Sequence, residues 1–403
     1  MTRIFFRFLL TSLALLILQA CDVTVDVQTD TQAKPASASV YRFATFNIAM
    51  GLNQAGEMAT ALESGTDDRL RSLAKVLQIV RPDVVLLTEF DFDPSIEAAD
   101  LLNRHYLQHA DEGMEGITYA FSYRPTVNTG MDSGLDIDGN GQAGEPTDAW
   151  GFGRFPGQYG MMILSHFPID AAAIRSFQTL KWSEFPGALR PIKENGESFY
   201  SDEVWTQLRL SSKNHVDIPV QAGDQLIHFL VTHPTPPGFD GPEDRNGKRN
   251  HDELALWAHF LDARPADWLV DDNGITGGLE DESNFIIAGD LNADPHDGGA
   301  VPGAIAQLLD HPLVDSDCIP ASHGGAEAAE QQAGINLEHS GNPAFDTSDF
   351  NDETVGNLRI DYLVPSRSLA VQDCGVFWPA SNEPHHGLAE FSDHRLVWLD
   401  VSF

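Results

Sequence analysis

Residues 285–295, FIIAGDLNADP, constrain this chain more than any other stretch. Phe285, Ile286, Ile287 and Ala288 form a short apolar run that reads as a buried strand. Gly289 closes it, and Asp290, Asn292 and Asp294 follow within five residues. A buried strand does not ordinarily end in carboxylates. An unpaired charge taken out of water costs several kcal/mol or shifts its pKa until it is neutral. By itself the string fits a strand end capped by Asx turns as well as it fits a functional site.

The same pattern recurs along the chain. Residues 40–48 are aromatic and β-branched in alternation, a strand that reaches Asn47. Residues 67–80 place Leu70, Leu73, Ala74, Leu77 and Val80 at helical spacing, with Pro82 beyond as a stop. Residues 83–88 form a second apolar strand, ending at Glu89. Further strands are expected over 159–165, 203–210, 225–232, 357–364 and 395–403. His233 follows the third of these, Asp361 lies in the fourth, and Asp393 and His394 stand at the entry to the last. Helices are expected over 95–108, 252–261 and 304–309. Residues 113–156, 238–250, 271–284 and 318–356 are polar and read as loops. No period of 20–50 residues is visible, which excludes a solenoid or propeller. Strands outnumber helices and several alternate, so two sheets packed face to face with helices outside are expected from about residue 40 to 403. Polar residues at the tips of separate strands point to one convergent site.

The pieces TFN at 45–47, PDVVLLTE at 82–89, YGMMILS at 159–165, THP at 232–234, GDLN at 289–292, RIDY at 359–362 and SDH at 392–394 come in a recognisable order. Together they resemble the endonuclease/exonuclease/phosphatase superfamily, the deoxyribonuclease-like group; the resemblance to an exported bacterial lipoprotein member lies in the N-terminus. The resemblance implies an α/β fold, a four-layer αββα sandwich of two mainly antiparallel sheets flanked by helices, with the site at one rim. It also implies divalent-metal-dependent hydrolysis of phosphate esters. Asn47 and Glu89 would be metal ligands, with Asp393 as a further one, for Mg²⁺ or alternatively Mn²⁺. Hard oxygen donors suit such a cation, and the cation neutralises charge on phosphoryl oxygens. Asp290 would orient or deprotonate the attacking water, and Asn292 would hold a phosphoryl oxygen. His394 would bind or protonate the phosphoryl group, with Asp361 holding its imidazole. His233 would assist the leaving group. Tyr159 matches a phosphate-contacting tyrosine, although a core aromatic is an equally good reading.

Charge narrows the substrate. The chain carries 60 acids against 24 bases, a formal net charge of −36. Tight non-specific nucleic-acid binding depends on Lys and Arg displacing counterions, so this balance argues against it. A phosphodiesterase or phosphatase acting on small or lipid phosphate esters is therefore the first expectation. The alternatives are a secreted endo- or exonuclease on DNA or RNA, and a non-catalytic binding protein on the same fold. Residues 240–251 concentrate Arg245, Lys248 and Arg249 just after His233. Arg245, Arg249 and His251 are candidate substrate contacts, unless they form a salt-bridged surface loop. Asp136, Asp138 and Asn140, in DIDGNG, match the first half of a calcium loop. The closing Glu is replaced by Thr147, with Glu145 or Asp148 as substitutes, so a structural Ca²⁺ site competes with a plain acidic loop.

The N-terminus reads as targeting. Arg3 and Arg7 precede an apolar run over 8–18, and Leu18-Gln19-Ala20-Cys21 resembles a lipobox. Residues 1–20 are expected to be a signal peptide, Cys21 the lipidation point and 21–39 a tether. The expected location is periplasmic or cell-surface, anchored to the membrane by lipid. An ordinary signal peptide or a short membrane anchor is the alternative. Cys318 and Cys374 could then form a disulfide in an oxidising compartment, or remain two buried thiols.

Overall fold

In the computed structural model, which describes residues 39–262 and 266–403, the apolar runs become strands buried on both faces. The leader, Cys21 and nearly all of the expected tether lie outside the described residues. The strands are β1 (Val40–Met50), β2 (Val84–Phe90), β3 (Phe121–Tyr123), β4 (Met161–Ser165), β5 (Arg175–Ser176), β6 (His215–Ala222), β7 (Gln225–Thr232), β8 (Asn284–Asp290), β9 (Ser348–Asp349), β10 (Asn357–Leu358), β11 (Asp361–Pro365), β12 (Ala370–Phe377) and β13 (Leu396–Ser402). The helices are α1 (Glu57–Ser64), α2 (Asp68–Val80), α3 (Ala98–Leu102), α4 (Asp202–Trp205), α5 (Arg245–Leu261), α6 (Ala306–Leu309) and α7 (His323–Gln332).

One sheet has the order β12-β13-β1-β2-β4-β3 and the other β11-β8-β7-β6-β5. Each contains a single parallel pair, β1 with β2 and β7 with β8, and is otherwise antiparallel. A parallel pair needs a crossover, and α2 and α5 supply the two. Side-chain alternation then sorts the core into layers. In β8, Ile286 and Ala288 face the other sheet and join a layer with Phe43 and Leu86 from it and Phe229 from the neighbouring β7. Phe285 and Ile287 face outward onto Trp257 and Phe260 of α5. In β2, Val84 and Leu86 face inward, and Val85 and Leu87 pack under Leu70, Leu73 and Leu77 of α2. Helix, sheet, sheet and helix make the four layers. Burying each such side chain is worth about 1.5–3 kcal/mol before the entropy of ordering it is subtracted. The α2 start is fixed locally: the Asp67 carboxylate accepts from the amides of Arg69 and Leu70, a cap worth about 1 kcal/mol.

Several expectations need correction. Residues 203–210 are not a strand: Ser201 caps Val204 N, and α4 forms instead. Val204 and Leu208 are both buried while Thr206 between them is exposed, which a strand face would not allow and a helical turn does. The helix expected over 95–108 is a short α3 followed by a π-helical turn, Asn103–Leu107. Helix α5 begins at Arg245, seven residues before the expected start, so the basic segment is largely helix rather than loop. The strand expected over 357–364 breaks at Arg359 into β10 and β11. Strands β6 and β12 and helices α1 and α7 are additional to the sequence reading. Cys318 and Cys374 are joined in a disulfide, with Cα atoms 6.3 Å apart. Among the described residues no helix is long and apolar enough to cross a membrane.

Candidate active site

Both parallel pairs run toward the same rim, and the polar strand tips meet there. The six-stranded sheet contributes Asn47 from β1, Glu89 from β2 and His394 just before β13. The five-stranded sheet contributes His233 after β7, Asp290 at the end of β8 and Asp361 at the start of β11. The backbone is bent to present them. Register between β1 and β2 slips between Asn47 and Met50. Ala49, Glu89, Tyr159 and Asn292 all have φ between 49° and 56°. A residue with a Cβ costs about 1–3 kcal/mol in so sparsely populated a region, and such strain concentrates where function requires a particular side-chain position.

Asp290 is the hub. Its Oδ2 accepts from Asn47 Nδ2 at 3.0 Å and lies 3.3 Å from His233 Nε2 and 3.7 Å from His394 Nε2. Its Oδ1 accepts from the Asn292 amide at 3.0 Å. Asn47 Nδ2 also reaches Glu89 Oε1 at 3.2 Å and lies 3.4 Å from His394 Nε2. Behind His394, Nδ1 is 2.9 Å from Asp361 Oδ2. The Thr347 hydroxyl donates to that same oxygen at 2.9 Å while accepting the amides of Ile360 and Asp361. Ser392 accepts the His394 amide and donates to Asn47 O, tying the two rim segments together. The Phe350 ring stands edge-on to the imidazole at 5.4 Å.

Burial makes each charge here depend on its neighbours. Burial alone would keep His394 neutral, but the Asp361 and Asp290 carboxylates raise it to about 10. It is therefore an imidazolium with both N–H groups directed at carboxylates. Burial would likewise neutralise Asp290, yet His394 and His233 hold it well below the usual carboxylate range. Asp361, deepest of the three, is pushed up to about 6 by burial against the pull of His394. His233 goes the opposite way from His394: burial and the Lys213 ammonium lower it, and Asp290 only partly compensates. A neutral His233 donating from Nε2 leaves its buried Nδ1 without a partner, and none is present among the described residues.

A cation could be held in two ways here. Ligand atoms of Asp290, Asp361 and His394 lie within 4.8 Å of one another, but the His394 Nδ1 proton already satisfies Asp361, and its Nε2 faces Asp290 at 3.7 Å. The Glu89 carboxylate is half-buried and accepts from Asn47 alone among the described residues, so it is the more open anion. Asp393 beside His394 is exposed. The Asn47 amide oxygen, the atom a hard cation takes, accepts from the Ala49 amide at 3.0 Å; in this arrangement Asn47 bridges the acids.

The remaining expected residues separate clearly. Tyr159 stands close to Glu89 and Asp91, whose charges act on its hydroxyl. Its amide donates to Asp91 at 2.8 Å, as does that of Leu52, and its ring packs over Gly51 where a Cβ would fall 2.2 Å away. Asn292 Nδ2 donates to Pro234 O at 3.2 Å. The basic segment is a correction. Arg249 is buried, and its Nε and Nη2 donate to the carbonyls of Trp150, Arg209, Leu210 and Ser211, so it clamps loops. Arg245 pairs with Glu243 and stacks on Phe199. His251 pairs with Asp252 at 2.9 Å. None of the three has a polar contact with the Asp290 group among the described residues. The distant acidic loop does gather: Asp136, Asp138 and Asp148 bring ligand atoms within 4.8 Å. Asp148, rather than Thr147, closes the set, and Asn140 instead bonds Glu145 at 2.7 Å. Thr347, Phe350 and Lys213 are site neighbours that the sequence pattern does not single out. Ser392 lies inside the SDH string and was open to recognition there.

No curated protein matches the sequence of this chain. An endonuclease/exonuclease/phosphatase from Beutenbergia cavernae is 16% identical, with 90% of this chain and 72% of that chain covered and a TM-score of 0.49. Sphingomyelinase C from Streptomyces griseocarneus is 16% identical over 91% and 100% of the two chains, with a TM-score of 0.48. A double mutant of beta toxin from Staphylococcus aureus with bound magnesium ions is 14% identical over 91% and 100%, with a TM-score of 0.46. The profile of the Endonuclease/Exonuclease/phosphatase family matches residues 44–394, which spans every strand-tip residue described above, and the chain belongs to that family.

Proposed function

We propose that this rim hydrolyses phosphate esters with the help of a divalent cation, Mg²⁺ or Mn²⁺, and that its substrates are small or lipid phosphate esters. The observation that carries the reading is Asp290, a buried carboxylate held anionic between an imidazolium and a neutral imidazole. Asp290 aligns the attacking water and receives its proton as the new P–O bond forms; its low basicity makes alignment the larger part of its work. His394 donates to a phosphoryl oxygen, and Asp361 keeps it charged and oriented. Asn292 donates to a second phosphoryl oxygen. His233 donates its proton to the departing oxygen. The donor set fits a hard cation: Glu89 and Asp393 would hold it, with Asn47 through its amide oxygen in exchange for the Ala49 contact. Such a cation, when bound, neutralises phosphoryl charge and acidifies water.

The net charge of −36 supports small or lipid esters over long nucleic acids, which would be repelled unless a local cation screens them. The test is a panel of plasmid DNA, sphingomyelin, inositol phosphates, nucleotides and a nitrophenyl diester, each with Mg²⁺ and with chelator. Metal-dependent turnover of one of the small or lipid substrates is expected. Faster cutting of DNA than of the others would overturn the substrate class. No turnover with any divalent ion would overturn hydrolysis and leave a binding protein.

Two accessory readings belong here. We infer that Cys21 is acylated after export and tethers the chain to a membrane; labelled palmitate that still incorporates into Cys21→Ala would refute this. We also infer that Asp136, Asp138 and Asp148 hold a structural Ca²⁺, in which case a calcium-specific chelator lowers the melting temperature. An unchanged melting temperature would return the loop to plain acidity.

A further inference from the structure

Lys213 is the buried cation that the reading above leaves unused. It lies in the segment entering β6, whose backbone is pinned on both sides. The Ser212 amide donates to Glu253 at 2.6 Å, the Asn128 amide to Lys213 O at 3.0 Å, and Asn214 Nδ2 to Thr126 O at 2.9 Å. The side chain is therefore delivered inward, and the residue is only 6% exposed. An ammonium has three protons to give. Among the described residues it finds one acceptor, Pro234 O, at 3.3 Å. It makes no ion pair within 4.0 Å among the described residues. The acids whose charge reaches it are Glu253, Glu89 and Asp290. Glu253 is occupied by the amides of Ser212 and Thr235, and Asp290 by Asn47, Asn292 and the two histidines. A buried ammonium left with one long hydrogen bond is costly, and a fold does not need a charge merely to hold one carbonyl.

Position says what would relieve it. Pro234 O, the carbonyl Lys213 touches, also accepts Asn292 Nδ2 at 3.2 Å, and it belongs to the residue after His233. The ammonium and the Asn292 amide thus converge on one point beside Asp290. We infer that Lys213 is a further substrate-binding residue of this site, an ammonium that donates to a phosphoryl oxygen alongside Asn292. This rests on the phosphoesterase reading, and it assigns the protein's own cation to the phosphate group beside the bound metal. Burial lowers the Lys213 pKa against the pull of Glu253, Glu89 and Asp290, and in a protein of net charge −36 an anionic phosphoryl group beside it would add to that pull and favour the ammonium.

The test is binding of inorganic phosphate to the intact protein, by calorimetry, with Mg²⁺ and with chelator, in wild type and in Lys213→Met. Methionine keeps an unbranched apolar stem, one atom shorter, and removes the charge. The expected loss of phosphate affinity is roughly tenfold to hundredfold, the worth of a charge-assisted hydrogen bond. The melting temperature should hold or rise, because an under-partnered buried charge is removed. Lys213→Arg, which keeps the charge, should retain most of the binding, and it serves as the comparison if the methionine variant does not fold. Equal phosphate affinity in wild type and Lys213→Met overturns the inference, as does a wild type that binds no phosphate. A lowered melting temperature with unchanged affinity makes Lys213 a strut and also overturns it. Phosphate binding that depends on Lys213 in a protein that turns over no ester would sink the hydrolase reading and leave this one standing. Turnover with Lys213-independent phosphate binding would do the reverse.

Discussion

The two sheets each bring a histidine to Asp290, and the two are held in opposite ways. On the six-stranded side, His394 is flanked by Asp361 and Asp290 and stays charged despite full burial. On the five-stranded side, His233 meets the same Asp290 at 3.3 Å but has the Lys213 ammonium acting against it, and it stays neutral. Desolvation is the first influence on both, so the difference comes from neighbours alone. One side offers a positive charge with its Nδ1 proton committed to Asp361 and its Nε2 proton, 3.7 Å from Asp290, open to an oxyanion. The other offers a neutral N–H with a free ring nitrogen, suited to passing a proton. Asp290 works for both sides, which is why its loss should hurt most.

Asp290→Asn removes the anion that His394, His233 and Asn47 all face, and it should lower kcat by about 10²–10⁴ on any hydrolysed ester. His394→Ala should cost a similar factor. The double variant should cost little more than either single one, because the groups act as a unit. Folding is checked by circular dichroism. Near-normal turnover in a folded Asp290→Asn variant would break the comparison at its centre.

The two histidines are separated by their dependence on the leaving group. If His394 serves the phosphoryl oxygens, His394→Ala should lose the same factor with a nitrophenolate as with an alkoxide leaving group. If His233 protonates the departing oxygen, His233→Ala should lose less than about tenfold with nitrophenolate, which leaves unaided, and about 10²-fold or more with an alkoxide. Paired rate measurements on the two esters decide it. Equal losses for His233→Ala would remove it from the leaving-group role and collapse the distinction between the two sides.

What the sequence made visible follows the same division between local and long-range causes. Asp290, Glu89 and His233 were legible because each ends an apolar run, where a polar residue is out of place. The two-sheet architecture was legible because strands outnumber helices and several alternate, which leaves each sheet one face to bury against the other. Thr347 was not legible: it supports Asp361 from a stretch that has no hydrophobic period and forms only the short β9–β10 ribbon. The start of α5 was missed because its first turns bury Arg249, Asn250, Asp252 and Glu253, so the apolar stripe begins only at Leu254. For the same reason Arg249 looked like a substrate ligand. Its real partners are carbonyls at 150 and 209–211, some 40 to 100 positions away, and no local pattern reports them. Charge type is written in the sequence; what a charge is paired with is decided by topology.

That rule has a test away from the rim, in a buried carboxyl with no compensating cation. Asp346 is 8% exposed and, among the described residues, its carboxyl has no hydrogen-bond partner. Burial, reinforced by the charges of Asp294 and Asp297, pushes it up from 3.8 to about 8. Asp290 is buried more deeply but has two histidines, and it moves the other way. A folded-state pKa above the unfolded one means the native state binds the proton more tightly. The stabilisation from protonating Asp346 is then complete below 3.8 and is lost as pH rises through about 8. Asp346→Asn keeps the shape and cannot ionise, so its melting temperature should fall less than that of wild type across that interval. The effect should be small near the acidic end and largest at and above pH 8, where the variant should be the more stable protein. Differential scanning fluorimetry across the range measures both slopes. Parallel slopes for the two proteins would mean that Asp346 ionises freely in the fold, and that burial does not set the charge at this position.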